Sequence, residues 1–181
     1  KLLNIRNEIL KEHSRRQAER IARYALSKPQ YFKELFELFC SREYRVAQRA
    51  AYAVMVCVDE QPDVIIPFLG KIIKNLERQD VHDAVIRNTV RVLQNIEIPS
   101  KYHGAVANAC FELLNDRSRP IAIRVFAMTV IFNLSKLYPE FGRELRLIIE
   151  SELDEGALPA FKNRGIKILK TLHKLNQGSV V

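Results

Sequence analysis

His13, His82, His103 and His173, with Cys40, Cys57 and Cys110, are the side chains best suited to hold a metal or form a covalent intermediate. A zinc site gathers such ligands at short, regular spacings, and a catalytic one keeps a position open for water. Here the histidines are scattered, no HExxH occurs, and no cysteine lies in a CxxC pair. His82 and Asp83 are adjacent, so on a helix their side chains diverge and make a poor ligand set. Gly70-Lys71 lacks the rest of a P-loop, no GxGxxG follows a strand, and no GxSxG elbow is present. The expectation is a non-enzyme with no catalytic, cofactor-binding or metal-binding residues.

Charge offers a different chemistry. The 181 residues carry 29 Lys and Arg against 21 Asp and Glu, a net charge of +8. The excess is localised: residues 1–30 hold +5 and residues 100–137 hold +3, while 31–99 hold −1. On a helical wheel Arg16, Arg20 and Arg23 fall within about 60° of one another, opposite Ala18, Ile21, Ala22 and Ala25. Near the other end Lys167, Lys170 and Lys174 share one face, opposite Leu158, Phe161, Ile168, Leu169 and Leu172. No acid lies between Pro159 and Leu175 to neutralise them. Cationic stripes of this kind attract phosphate backbones or acidic partners. Few aromatic residues interleave to stack bases, so on nucleic acid these would be positioning contacts. They also serve simply as solvated faces.

The elements that would position these residues are helices. Strand signals are nearly absent, and Leu, Ala, Arg, Lys and Glu recur at helical spacing. Ten helices are expected, at about 2–12, 15–27, 30–40, 43–59, 63–77, 81–95, 101–115, 119–136, 140–153 and 158–175. Prolines 29, 62, 99, 120, 139 and 159 fall near helix starts or between helices, where a missing N–H costs little. Each cysteine sits in an apolar helical stretch and reads as a small core residue, which fits a reducing cytoplasm. The longest stretches without a charged residue, Tyr102–Phe111 and Val125–Ser135, are too short to cross a bilayer. No signal-peptide pattern opens the chain. It starts at Lys1 rather than Met, so a segment upstream is expected.

The helices pair and the pairs recur. Arg49, Arg87, Arg124 and Arg164 stand at steps of 38, 37 and 40 residues, each inside a helical stretch. Phe36-Glu37-Leu38-Phe39 ends one first helix, and Phe111-Glu112-Leu113-Leu114 ends another two repeats later. Ala50, Val90 and Ala127 sit near the middle of second helices, where compact side chains allow close approach. Such a period marks stacked helical hairpins, each burying its apolar face against its neighbours.

Val46-Ala47-Gln48-Arg49-Ala50-Ala51-Tyr52-Ala53-Val54 resembles the second helix of a HEAT repeat. Pro120-Ile121-Ala122-Ile123-Arg124-Val125-Phe126-Ala127 is similar, with Ile123-Arg124 in the Val-Arg step of that family, and Ile86-Arg87 repeats the step. Val64-Ile65-Ile66-Pro67-Phe68-Leu69 resembles the matching first helix, mid-helix proline included. The resemblance implies an all-α, right-handed α-α superhelix. It covers four repeats over residues 30–175, with 1–29 as a partial repeat or cap and 176–181 as a flexible tail. Residues 1–175 would form a single domain. It also implies a structural, inter-repeat role for Arg49, Arg87, Arg124 and Arg164, bridging carboxylates or carbonyls.

Proteins of this family form curved scaffolds that bind proteins and, less often, nucleic acids. A distant similarity extends to the HEAT-like alkylpurine DNA glycosylases, which read DNA across a basic face lined with aromatics, Trp in particular. This chain has no Trp, so that catalytic set does not carry over. The favoured expectation is a non-catalytic scaffold with a protein partner on a concave surface. The alternative is sequence-independent nucleic-acid binding through Arg16, Arg20, Arg23, Lys167, Lys170 and Lys174. Neither a small-molecule substrate nor a membrane is expected as a partner.

Overall fold

Short polar side chains and prolines set the helix starts. The computed structural model describes residues 3–77 and 81–177, and their contacts gather into two compact units, Lys1–Glu97 and Ile98–Val181. Ten α-helices and two 3₁₀ segments make up the described residues, with no strand among them.

In the first unit, helices α1 (Ile5–Lys11), α2 (Arg15–Leu26), α3 (Pro29–Phe39) and α4 (Tyr44–Glu60) form two hairpins. Asn4 caps α1 by accepting from the Asn7 amide, and Ser14 caps α2 by accepting from the Gln17 amide. Pro29 opens α3 at a position whose N–H has no intrahelical partner. The third hairpin departs from expectation. The helix expected over 63–77 is a 3₁₀ segment, Pro62–Phe68, running into α5 (Leu69–Leu76). Pro67 has no N–H for the carbonyl four residues back and its ring crowds that carbonyl, so the chain takes the tighter turn. Phe68 then lands on α3, its ring 4.5 Å from Phe36 and 5.5 Å from Phe32. Helix α6 (Asp83–Leu93) completes the pair, capped by His82, whose Nδ1 accepts from the Ala84 amide at 3.1 Å.

The second helices α2, α4 and α6 pack in a row, with α4 between its neighbours and also against α1 and α3. A helix contacted on so many sides must be apolar nearly all round. Nine residues of α4 are buried, from Val46 to Val58. Burying each large side chain such as Phe32, Phe36 or Ile65 contributes about 1.5–3 kcal/mol.

The second unit repeats this plan. After a 3₁₀ turn (Ser100–Tyr102) come α7 (His103–Asn115), α8 (Ile121–Ser135), α9 (Pro139–Asp154) and α10 (Pro159–Gln177). Helix α8 packs on α7, α9 and α10, and the long uncharged run from Val125 belongs to it because it is buried on several sides. His103 ties the start of α7 to the start of α9. Its Nε2 donates to the Ile98 carbonyl at 2.6 Å, which leaves Nδ1 to accept from the Tyr138 hydroxyl at 2.9 Å. Just past the end of α9 stands Gly156, whose φ of 90° suits glycine best. At Gly165 helices α9 and α10 come so close that a Cβ would lie 2.8 Å from Ile149 Cγ2.

Two further expectations are corrected. Leu158, placed on the buried side of the last helix, precedes α10 and is 61% exposed, while Phe161, Ile168 and Leu172 are buried as expected. Helix α10 runs through Gln177, two residues into the expected tail. Residues 178–181 of that tail lie outside the described residues.

Candidate binding surface

Arg16, Arg20 and Arg23 are all exposed on α2, and Ala18, Ile21, Ala22 and Ala25 are buried beneath them. The stripe is partly committed. Arg20 pairs with Glu8 of α1 and donates from Nε to Gln17 at 3.2 Å. Arg16 stands 3.8 Å from Glu12, and the neighbouring Arg15 donates to Glu19 at 2.7 Å. Glu19 beside it raises the Arg15 pKa further above its ordinary value. Lys167, Lys170 and Lys174 are exposed along α10.

The four repeat arginines meet different surroundings. Arg49 reaches from α4 to the C-terminus of α1, donating to the carbonyls of Ile9 (3.2 Å) and Leu10 (2.7 Å), two of the acceptors a helix end leaves open. Arg124 is nearly buried. Its Nε donates to the Leu114 carbonyl at 2.8 Å, its Nη2 to Glu152 at 2.7 Å, and its guanidinium lies 5.0 Å from the Phe161 ring centre. Arg117 shares Glu152 at 2.8 Å and donates to Glu155 at 2.5 Å, holding the Glu155 carboxyl below its usual range. Arg164 donates from α10 to the Thr129 hydroxyl on α8 at 2.6 Å. Arg87 has no hydrogen-bond or ion-pair partner among the described residues.

Arg87 instead lines a pocket of about 250 Å³ with His13, Gln48, Tyr52, Asn88 and Arg91. Gln48 and Tyr52 come from α4, the other three helical residues from α6, and His13 from the turn between α1 and α2. The His13 and Tyr52 rings meet edge to face at 5.7 Å. Among the described residues, no carboxylate lines the pocket. Asn88 is only 6% exposed, and its Nδ2 is buried with no acceptor. Leaving an amide nitrogen so costs about 1–3 kcal/mol. The sequence reading treated Arg87 as structural and passed over Arg91 and Asn88. Their only local signal is two arginines four apart on a second helix with a polar residue between.

Cys57 and Cys110 are fully buried, and burial pushes both thiols up to about 12. Cys40 is only part-buried and lines a separate pocket with Tyr44 and His82, a correction to its expected place in the core. Among the described residues, no three His, Cys, Asp or Glu side chains are grouped so that they could hold a metal ion. No described helix is long and apolar enough to cross a membrane.

Repeated helical hairpins, second helices in a row and arginines reaching between hairpins define an all-α repeat protein. The family model of the HEAT repeat domain matches residues 5–172, so the chain belongs to the HEAT repeat family. The match takes in α1 and α2, which lie before the four repeats read from the sequence. Comparison with curated proteins and with solved structures gave no match. HEAT repeats are generally non-catalytic helical scaffolds, often used in protein interactions.

Proposed function

We propose that this protein is a non-catalytic scaffold that binds a protein partner, taking an extended segment along the second helices of its first unit. The observation that most supports this is the state of the cations. On α2, Arg15, Arg16 and Arg20 already face Glu19, Glu12 and Glu8. A phosphate backbone is held by a track of uncommitted cations whose counterions are released on binding. Arg87 and Arg91, which have no ion-pair partner among the described residues, instead flank one pocket of mixed polar and aromatic character, which suits side chains of a protein. A single family match from 5 to 172 supports treating 1–175 as one repeat domain. The buried, unpaired thiols support a reducing compartment such as the cytoplasm.

One observation favours a second reading, sequence-independent nucleic-acid binding. Lys167, Lys170 and Lys174 stand exposed on a helix without acidic residues. Affinity capture from nuclease-treated lysate at about 150 mM salt, followed by titration of the purified partner, tests the choice. The scaffold reading expects a defined protein partner with a dissociation constant on the order of 1 μM or tighter. Capture that disappears whenever nucleic acid is removed overturns it.

A further inference from the structure

We propose that the pocket between α4, α6 and the α1–α2 turn is a carboxylate-binding site, which takes a Glu or Asp side chain of an extended protein segment. The inference rests on the scaffold reading and specifies what one part of the surface recognises. Three observations carry it. Every charged helical group lining the pocket is cationic: Arg87 and Arg91, one turn apart on α6, with no carboxylate among the described lining residues. The Asn88 amide between them is buried and has a donor without an acceptor. Gln48, Tyr52 and His13 close the other side, and each can add a hydrogen bond.

The chemistry of these groups selects the ligand. Two guanidinium groups present planar forks that match a carboxylate two oxygens at a time. The Asn88 amide turns about its side-chain bond to donate to the same anion. The cation set is compact, since Arg15 and Arg20 on the adjacent α2 are tied to Glu19 and Glu8. On α2 a polyanion would find Arg23 alone without an ion-pair partner among the described residues, whereas one carboxylate needs no track. At about 250 Å³ the pocket admits a whole acidic side chain, with Ala51 and the Tyr52 ring meeting its methylene groups.

The test titrates the whole ¹⁵N-labelled chain with a hexaglutamate peptide at about 50 mM salt, where charge contacts are least screened. Saturable shifts of the Asn88 side-chain amide and of the Arg87 and Arg91 backbone amides are expected. The R87Q/R91Q variant should bind at least about tenfold more weakly, as expected for loss of charge-assisted hydrogen bonds. Should that variant not fold, Gln48→Glu gives the same comparison, because it places a carboxylate beside both arginines and should weaken the peptide as much. Shifts spread evenly over the cations of α2 and α10 overturn the proposal. So does saturation of these resonances by inorganic phosphate or a short DNA duplex but not by the peptide.

The two readings fail separately. A captured protein partner that binds R87Q/R91Q as well as the unaltered chain removes the pocket and leaves the scaffold. Peptide binding at the pocket with no protein partner recovered does the reverse.

Discussion

Arg124 shows how one side chain can serve several neighbours at once. It is nearly buried, and its donors reach the end of α7 and the carboxylate of Glu152 on α9. Arg124→Met should lower stability by on the order of 3 kcal/mol, because it leaves a carbonyl unpaired and a part-buried carboxylate with only Arg117. Arg124→Lys should recover only part of this, since an ammonium cannot span both acceptors. Urea denaturation of the three proteins measures both differences. The cysteines give a second residue-level expectation. Iodoacetamide at about pH 8 should modify Cys40 first and reach Cys57 and Cys110 only on unfolding, because burial raises both thiols to about 12. The sign follows from the ordinary value of 9.0. Stability from these buried thiols is present below pH 9.0 and is lost as pH rises towards about 12. Mass spectrometry of the labelled chain reads the order. The sequence could show that Arg20 points outward, but not that Glu8, on the other arm of a hairpin, meets it. Asn88 was still less legible, since an unpaired buried amide is a property of packing rather than of spacing.

Helices were the most readable level, because an apolar stripe depends only on spacing along the chain. Among the edges that moved, three have local causes: caps at Asn4 and His82, and Pro67. Pro67 was visible in the sequence, yet its effect depends on Phe68 having a place to land on α3. Close approach of helices was not visible at all. Gly165 reads as a weak spot in a helix, whereas the structure shows it letting α9 and α10 touch. Gly165→Ala should therefore cost about 1–3 kcal/mol, despite alanine's better helix propensity, because Ile149 must move. Ile149→Val keeps the Cγ2 methyl at that contact, so the double variant with it should regain little of the loss. Gly104→Ala, with nothing within 4 Å of the added carbon, should instead be neutral or stabilise by about 0.5 kcal/mol. Thermal unfolding of the four proteins decides between crowding and propensity.

For the whole molecule, the repeat period and the HEAT-like second helices pointed to the family that the match over residues 5–172 establishes. Net charge was a weaker guide. A value of +8 attracts any polyanion at low salt, whatever the surface has evolved to hold. What separates the readings is whether that charge is committed to neighbours, and on α2 much of it is. The most direct measurement is fluorescence anisotropy of labelled duplex and single-stranded DNA and RNA at about 50 and about 200 mM salt. It compares the unaltered chain with Arg16→Glu/Arg20→Glu/Arg23→Glu and with Lys167→Glu/Lys170→Glu/Lys174→Glu. A protein scaffold should show weak association at the lower salt and none tighter than about 100 μM at the higher, in the range of non-specific binding. Micromolar binding that persists at about 200 mM salt and collapses on either charge reversal would contradict it.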